Sequence, residues 1–221
     1  MKKDRAHPDD LSHFGRLAEY NRKRHFGVTP EPQGKFGRPN RKTLEFVVQK
    51  HRASRLHYDF RLEHDGVMLS WAVPKGPSTD PANKRFAMQT EDHPLEYNQF
   101  EGVIPEGEYG GGTVMIWDRG TWEPEVDDVE KALAKGDLKF KLNGKKLHGS
   151  WVLVRMRPRQ WLLIKHRDTA ASSEDITAAK PRSAVSRRSL AGIARKAGAT
   201  PRQLAQAQEA DRSAAIPAEI N

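Results

Sequence analysis

Between Leu56 and Leu62 apolar and polar residues alternate without a break. Leu56, Tyr58, Phe60 and Leu62 fall on one side of the chain, and His57, Asp59 and Arg61 on the other. Successive side chains of a strand face opposite ways, so period-two alternation marks a half-buried strand. The pattern recurs. Leu44, Phe46 and Val48 alternate with Glu45, Val47 and Gln49, and further strands are predicted at 67–73, 86–90, 113–117, 138–142, 149–156 and 161–165. Asp65-Gly66, Asn143-Gly144 and Pro158-Arg159 supply turns between them. Only residues 126–135 interrupt with a short helical pattern. Many short strands with little helix between them predict a mainly β domain over 41–167, an antiparallel barrel or sandwich.

The flanks read differently. Residues 1–10 are charged and predict disorder, and Leu11, Phe14, Leu17 and Ala18 at helical spacing predict a helix over 11–26. Its basic end, Arg22, Lys23 and Arg24, complements the helix dipole. Thr29-Pro30-Glu31-Pro32 closes the helix, and loop runs on to Asn40, so that residues 1–40 form an N-terminal helix and arm. After Arg167 the chain turns to Ala, Ser, Thr, Lys and Arg without an apolar period, which predicts a flexible basic linker and tail over 168–221. Short helices broken around Gly198 to Pro201 are compatible with residues 189–210. Residues 180–221 carry eight Lys and Arg against three Asp and Glu, either a source of nonspecific phosphate contacts or a solvated tail.

Charge narrows the partners. The 221 residues hold 38 Lys and Arg against 29 Asp and Glu, a net charge of +9 that favours a polyanion such as nucleic acid. No cysteine is present, so disulfides and thiolate chemistry are excluded. No apolar run is long enough to span a membrane, and the charged N-terminus lacks a signal core; a cytoplasmic, nucleoid-associated location is expected.

The polar face of 56–62 carries the candidate chemistry. An imidazole, a carboxylate and a guanidinium sit two residues apart, with a second imidazole, His51, six residues before His57. Two histidines and an aspartate suit a divalent cation with mixed N and O ligands, and an adjacent arginine suits a phosphate held against it. The alternative is an ornate but inert strand surface. Period two also groups Gln49 with His51, and Gln89 and Glu91 with His93, so three segments each offer a histidine beside other polar groups. The run Gly107 to Gly112 lacks the Gly-Lys-Ser/Thr of a phosphate loop and reads as a tight turn or bulge. His148 and His166 read as surface residues.

Four motifs in order carry a resemblance. Lys50 to Glu63 (KHRASRLHYDFRLE), Ser70 to Pro77 (SWAVPKGP), Glu91 to Tyr97 (EDHPLEY) and Glu101 to Gly112 (EGVIPEGEYGGG) resemble the 3′-phosphoesterase module of bacterial DNA ligase D. With the arm the likeness spans roughly residues 15 to 167. It implies a compact β-barrel with an open groove on its outer surface, and a manganese-dependent enzyme that heals DNA 3′ ends. A terminal ribonucleoside is removed to leave a 3′-phosphate, which is then hydrolysed to a 3′-hydroxyl, in nonhomologous end joining. Cobalt or zinc would also suit the ligands. The family's metal ligands fall on His51, His57 and Asp59, and its other central residues on Arg61, His93 and Tyr97. Its phosphate-pocket positions match Gln49, Lys75, Arg85 and Glu91, and in the arm Arg24 and Glu31. His25 stands where the family pattern has an acidic residue. With no polymerase or ligase module following, the chain resembles a stand-alone version, expected to be a monomer that works beside a DNA ligase and an end-binding protein.

On these roles Arg61 braces a nonbridging phosphate oxygen, His93 is a general acid or phosphate contact, and Tyr97 donates to the terminal phosphate. Two other classes stay open. A nonheme iron oxygenase would combine His57 and Asp59 with His148 or His166. A noncatalytic barrel that docks on DNA ends would use the basic balance and leave the metal ligands idle.

Overall fold

The computed structural model describes residues 8–35 and 43–213. Helix α1 (Pro8–Arg22) is followed by strands β1 (Leu44–Arg52), β2 (Leu56–His64), β3 (Val67–Val73), β4 (Arg85–Gln89) and the two-residue β5 (His93–Pro94). A 3₁₀ turn (Leu95–Gln99) leads into β6 (Gly102–Ile104) and the long β7 (Gly112–Pro124). Then come α2 (Val129–Lys135), β8 (Asp137–Gly144), β9 (His148–Arg157), β10 (Gln160–Lys165), α3 (Ile176–Ala179), α4 (Leu190–Lys196) and α5 (Pro201–Ser213). The helix expected over 11–26 thus starts and stops earlier, and residues 1–7 and 36–42 lie outside the described residues.

Eight strands close on themselves in the order β1-β2-β3-β4-β10-β9-β8-β7, and β7 returns to pair with β1. Every pairing is antiparallel, and of the barrel or sandwich expected from the alternation it is the barrel, implied by the resemblance, that is present. Strands β5 and β6, too short to show a period, pair onto β3 and β7. Asp65 and Gly66 both adopt positive φ (49° and 80°), which two-residue hairpins need to match the strand twist. All five tryptophans are at most 1% exposed and fill the interior with Phe46, Phe60 and Phe140. The inward face of β2 is Tyr58, Phe60 and Leu62, so His57, Asp59 and Arg61 point outward.

The expected flexible tail is instead packed structure through Ser213. Leu190, Ile193 and Ala194 of α4 and Ala207 and Ala210 of α5 join the main core. Asp211 accepts hydrogen bonds from Leu190 N and Ala191 N, joining the two helices, and Ser189 caps α4 through Gly192 N. Between barrel and helices, Trp117 Nε1 donates to Lys180 O, Ser183 Oγ to Glu101 Oε2, and Gln203 Nε2 to Ile104 O. Alanine-rich faces and backbone carbonyls do the docking here. Neither gives a strong apolar period, which is why the segment reads as a linker.

Candidate metal centre and phosphate pocket

The antiparallel register of β1 and β2 sets His51 directly opposite His57 and Gln49 opposite Asp59. The two imidazole centroids are 4.8 Å apart. His51 Nδ1 is 3.5 Å from one Asp59 carboxylate oxygen and His57 Nε2 is 3.6 Å from the other. One donor atom from each of the three residues lies within 4.8 Å of the others.

The far side of each ring sets which nitrogen faces inward. His51 Nε2 lies 2.8 Å from Gly110 O, and His57 Nδ1 lies 3.1 Å from Arg55 O. Carbonyls only accept, so those nitrogens carry the protons. His51 Nδ1 and His57 Nε2, the nitrogens left for a cation, then face Asp59. Two imidazoles and a carboxylate, each oriented by its surroundings, are a donor set that fits a divalent cation, which would displace the proton that, against burial, Asp59 helps His57 to hold. Burial pushes Asp59 up, but Arg61, His57 and His51 outweigh it and hold the carboxyl well below its usual range. It is ionised as a ligand must be. Gly110, at φ 76°, brings its carbonyl under His51 by a backbone turn that other residues rarely adopt.

Arg61 connects this cluster to the arm. Its Nη2 lies 3.2 Å from Asp59, Nε donates to Gln49 Oε1 (2.9 Å), and Nη1 donates to Ser70 Oγ (2.8 Å) and approaches His93 Nδ1 (2.9 Å). Gln49 Nε2 in turn donates to Tyr97 O and Phe100 O. The guanidinium stays buried and fixed. The arm adds Arg24, which donates to Glu31 through Nε (2.9 Å), lies 3.5 Å from Glu91 through Nη1, and sits over the Tyr20 ring. Thr29 Oγ1 and Tyr97 Oη also donate to Glu31. Two arginines and the two histidines of the candidate metal centre thus face one cavity of about 310 Å³, walled also by Asp59, Glu91, His93 and Tyr97.

His93 is not placed as an acid. Its Nε2 is 3.4 Å from Arg24 Nη2, while Nδ1 faces both Arg61 Nη1 and, at 2.9 Å, Glu91 O. Burial first, then Arg61 and Arg24, push its pKa well below the imidazole range. The ring is neutral in the free protein and holds no ionisable proton for a leaving group near pH 7. Tyr97 differs likewise from the direct phosphate donor expected: its hydroxyl serves Glu31, and its ring stacks on Arg61 (4.9 Å).

Of the twelve candidate residues, His51, His57, Asp59, Arg61, His93, Tyr97, Glu91 and Arg24 wall the cavity. Gln49 and Glu31 stand behind it as supports. Lys75 and Arg85 do not line it. Lys75 is exposed after β3, and Arg85 shares its side of β4 with core residue Ala87 and interacts with Asp175 just before α3. His25, at the departing position, reaches Glu108 (3.1 Å) and ties the arm to the glycine-rich turn. The sequence reading missed Tyr109 at the cavity wall, Lys23 holding Glu91 (3.1 Å), and Gly110 as an anchor. Only the glycine run signalled any of these. His148 and His166 take no part, so the histidine that joins His57 and Asp59 is His51.

Residues 49–155 match the DNA ligase D 3′-phosphoesterase domain family. This stretch of the chain belongs to that family. It is 54% identical over 182 residues to the multifunctional non-homologous end joining protein LigD of Pseudomonas aeruginosa, covering 79% of this chain and 22% of that protein. The proteins of the same name from Mycolicibacterium smegmatis and Mycobacterium bovis are 41% and 45% identical over 158 and 154 residues, 69% and 66% of this chain and 21% and 19% of theirs. The chain therefore spans about a fifth of the length of these curated relatives. Two histidines and one carboxylate alone would also serve iron; family membership and the guanidinium against Asp59 turn the reading to phosphoesters.

Proposed function

We propose that this chain is a metal-dependent phosphoesterase that heals DNA 3′ ends during nonhomologous end joining. It removes a terminal ribonucleoside and then the 3′-phosphate so left. The observation that carries the reading is the convergence of His51, His57 and Asp59 on one point, with Arg61 3.2 Å from the same carboxylate. His51, His57 and Asp59 would hold Mn2+, with Co2+ or Zn2+ as other occupants; when bound, the ion polarises a phosphoryl oxygen and activates water.

The chain's own residues do the positioning. Arg61 and Arg24 supply fixed N–H donors for nonbridging oxygens and offset charge that develops as the ester bond breaks. Gln49 and Ser70 keep Arg61 in place, and Glu31 with Tyr97 keeps Arg24 in place. His93, neutral between the two guanidinium groups, spaces them and offers a hydrogen bond to phosphate instead of a proton. Glu91 balances Arg24 and Lys23. Lys75 and Arg85, outside the cavity wall, act farther out, on the DNA backbone. The enzyme works in the cytoplasm, as a monomer beside a DNA ligase and an end-binding protein.

The test is a 5′-labelled DNA primer-template ending in one or two ribonucleotides, incubated with Mn2+, Mg2+ or chelator. Stepwise shortening through a 3′-phosphate to a 3′-hydroxyl, only with a suitable ion, is the expected result. A primer that is bound but unchanged would leave a noncatalytic end-binding module.

A further inference from the structure

Five large apolar side chains are exposed among the described residues: Val28, Phe86, Tyr109, Met156 and Val185. Of these only Tyr109, 49% exposed, is in the cavity wall. The glycine-rich turn sets its place. Gly111 N donates to Glu108 O (2.9 Å), so Tyr109 and Gly110 are the two corner residues of a tight turn. Gly110 holds its carbonyl on His51. One turn therefore carries both the anchor of a candidate metal ligand and an aromatic ring beside it.

Cations fix that ring. Lys23 Nζ lies 4.7 Å from its centroid and Arg24 Cζ 5.7 Å. Lys23 is itself held by Glu19 and Glu91, and gives the tyrosine hydroxyl one 3.4 Å hydrogen bond. Half of the residue stays open all the same. An open aromatic surface beside a phosphate pocket suits a nucleobase, because every base has a π-face to stack.

The two sides of the pocket differ. On the Tyr109 side His25 meets Glu108 and joins the arm to the turn, and the groove beyond carries Glu106 and Glu108 against Arg202. A phosphate backbone gains little by continuing there. The opposite wall has the small side chains of Thr90 and of Ala72, which pairs with Asp59 across β2 and β3. A cavity of about 310 Å³ has the size of a small-ligand pocket. It suits one nucleoside at the end of a chain on the first side, with the duplex behind it on the second.

We propose that Tyr109 stacks on the base of the terminal ribonucleoside, the leaving group of the first reaction. The proposal rests on the 3′-end reading above and names the subsite for the group released. Upstream nucleotides stay paired with the template. Only the terminal one leaves the helix, and the stacking it loses there is replaced on the tyrosine ring.

The test uses three 5′-labelled primer-templates with the same duplex, and Mn2+. One primer ends in two ribonucleotides, the second has the same end without its last base, and the third ends in a 3′-phosphate. Tyr109→Ala lowers kcat/KM for the first roughly tenfold more than for either of the others. Tyr109→Phe, which keeps the ring, restores it. An equal loss on the first two, on all three, or on none would overturn the proposal. If the wild type hydrolyses none of the three, the esterase reading fails, and anisotropy of the same primers without metal decides the subsite. It stands if Tyr109→Ala weakens binding of the first primer roughly tenfold more than of the second, and falls if the two weaken alike.

Discussion

His51 and His57 are partners across the β1–β2 ladder, and each ring has its far nitrogen on a main-chain carbonyl, Gly110 O for one and Arg55 O for the other. The nitrogens left for a cation, His51 Nδ1 and His57 Nε2, thus both face Asp59. The donor set exists before any ion arrives, so binding requires little ordering. Manganese is expected to raise the melting temperature of the wild type. At a hundred times its dissociation constant the gain is about 2.7 kcal/mol. His57→Ala and Asp59→Ala should show no such gain and no turnover. An equal manganese shift in Asp59→Ala would remove this cluster as the metal centre.

Tyr97 donates to Glu31, and Glu31 holds Arg24. Tyr97→Phe leaves a fully buried carboxylate oxygen one partner short, at a cost of about 1–3 kcal/mol. Because Arg24 serves whichever phosphate is bound, ribonucleoside removal and 3′-phosphate removal should slow by the same factor. Single-turnover rates on the two substrates, with melting curves of both proteins, decide this. Loss confined to the monoester would return the hydroxyl to the phosphate.

The period-two alternation of 56–62 exposed the outward His57, Asp59 and Arg61 because a strand's faces are fixed by its own sequence. The pairing of His51 with His57 needed the register, which depends on the whole sheet. The polar row Gln49 and His51 was visible; that Gln49 holds Arg61 was not. Arg24 and Glu31 are far from the motif in sequence, and only packing brings them to it. Lys75 and Arg85 share a residue type with phosphate contacts, but the ends of β3 and β4 take them away from the cavity. In α4 and α5 the buried face is mostly alanine, whose small apolar surface gives a weak sequence period yet packs closely against the barrel.

His93 gives a pH signature. Its folded pKa lies well below the ordinary imidazole value because the ring is buried and flanked by Arg61 and Arg24. The unfolded chain binds this proton near pH 6.5 while the folded one does not. Stability therefore falls as pH drops below about 6.5. In metal-free protein, His93→Gln should flatten that part of the melting-temperature profile. It should lower turnover without moving the acid limb of the pH–rate curve. A shifted acid limb would restore His93 as a proton donor.

Lys50 ties the last helix to the metal strand. It stands one residue before His51, fully buried, and Nζ reaches Ala210 O at 3.4 Å. Burial lowers its pKa, with Asp211 opposing. Removing residues 190–213 would strip the cover from this ammonium and delete Leu190 and Ile193 from the core. Each of those side chains is worth about 1.5–3 kcal/mol when fully buried. The truncated chain should therefore melt well below the full one, and lose manganese binding with it, because β1 carries His51. A dispensable recruitment tail would instead leave melting temperature and short-primer turnover unchanged. Circular dichroism melts of both chains with and without Mn2+ make the distinction. The companion variant Lys50→Met, which keeps the stem and removes the buried charge, should raise the melting temperature of the full chain.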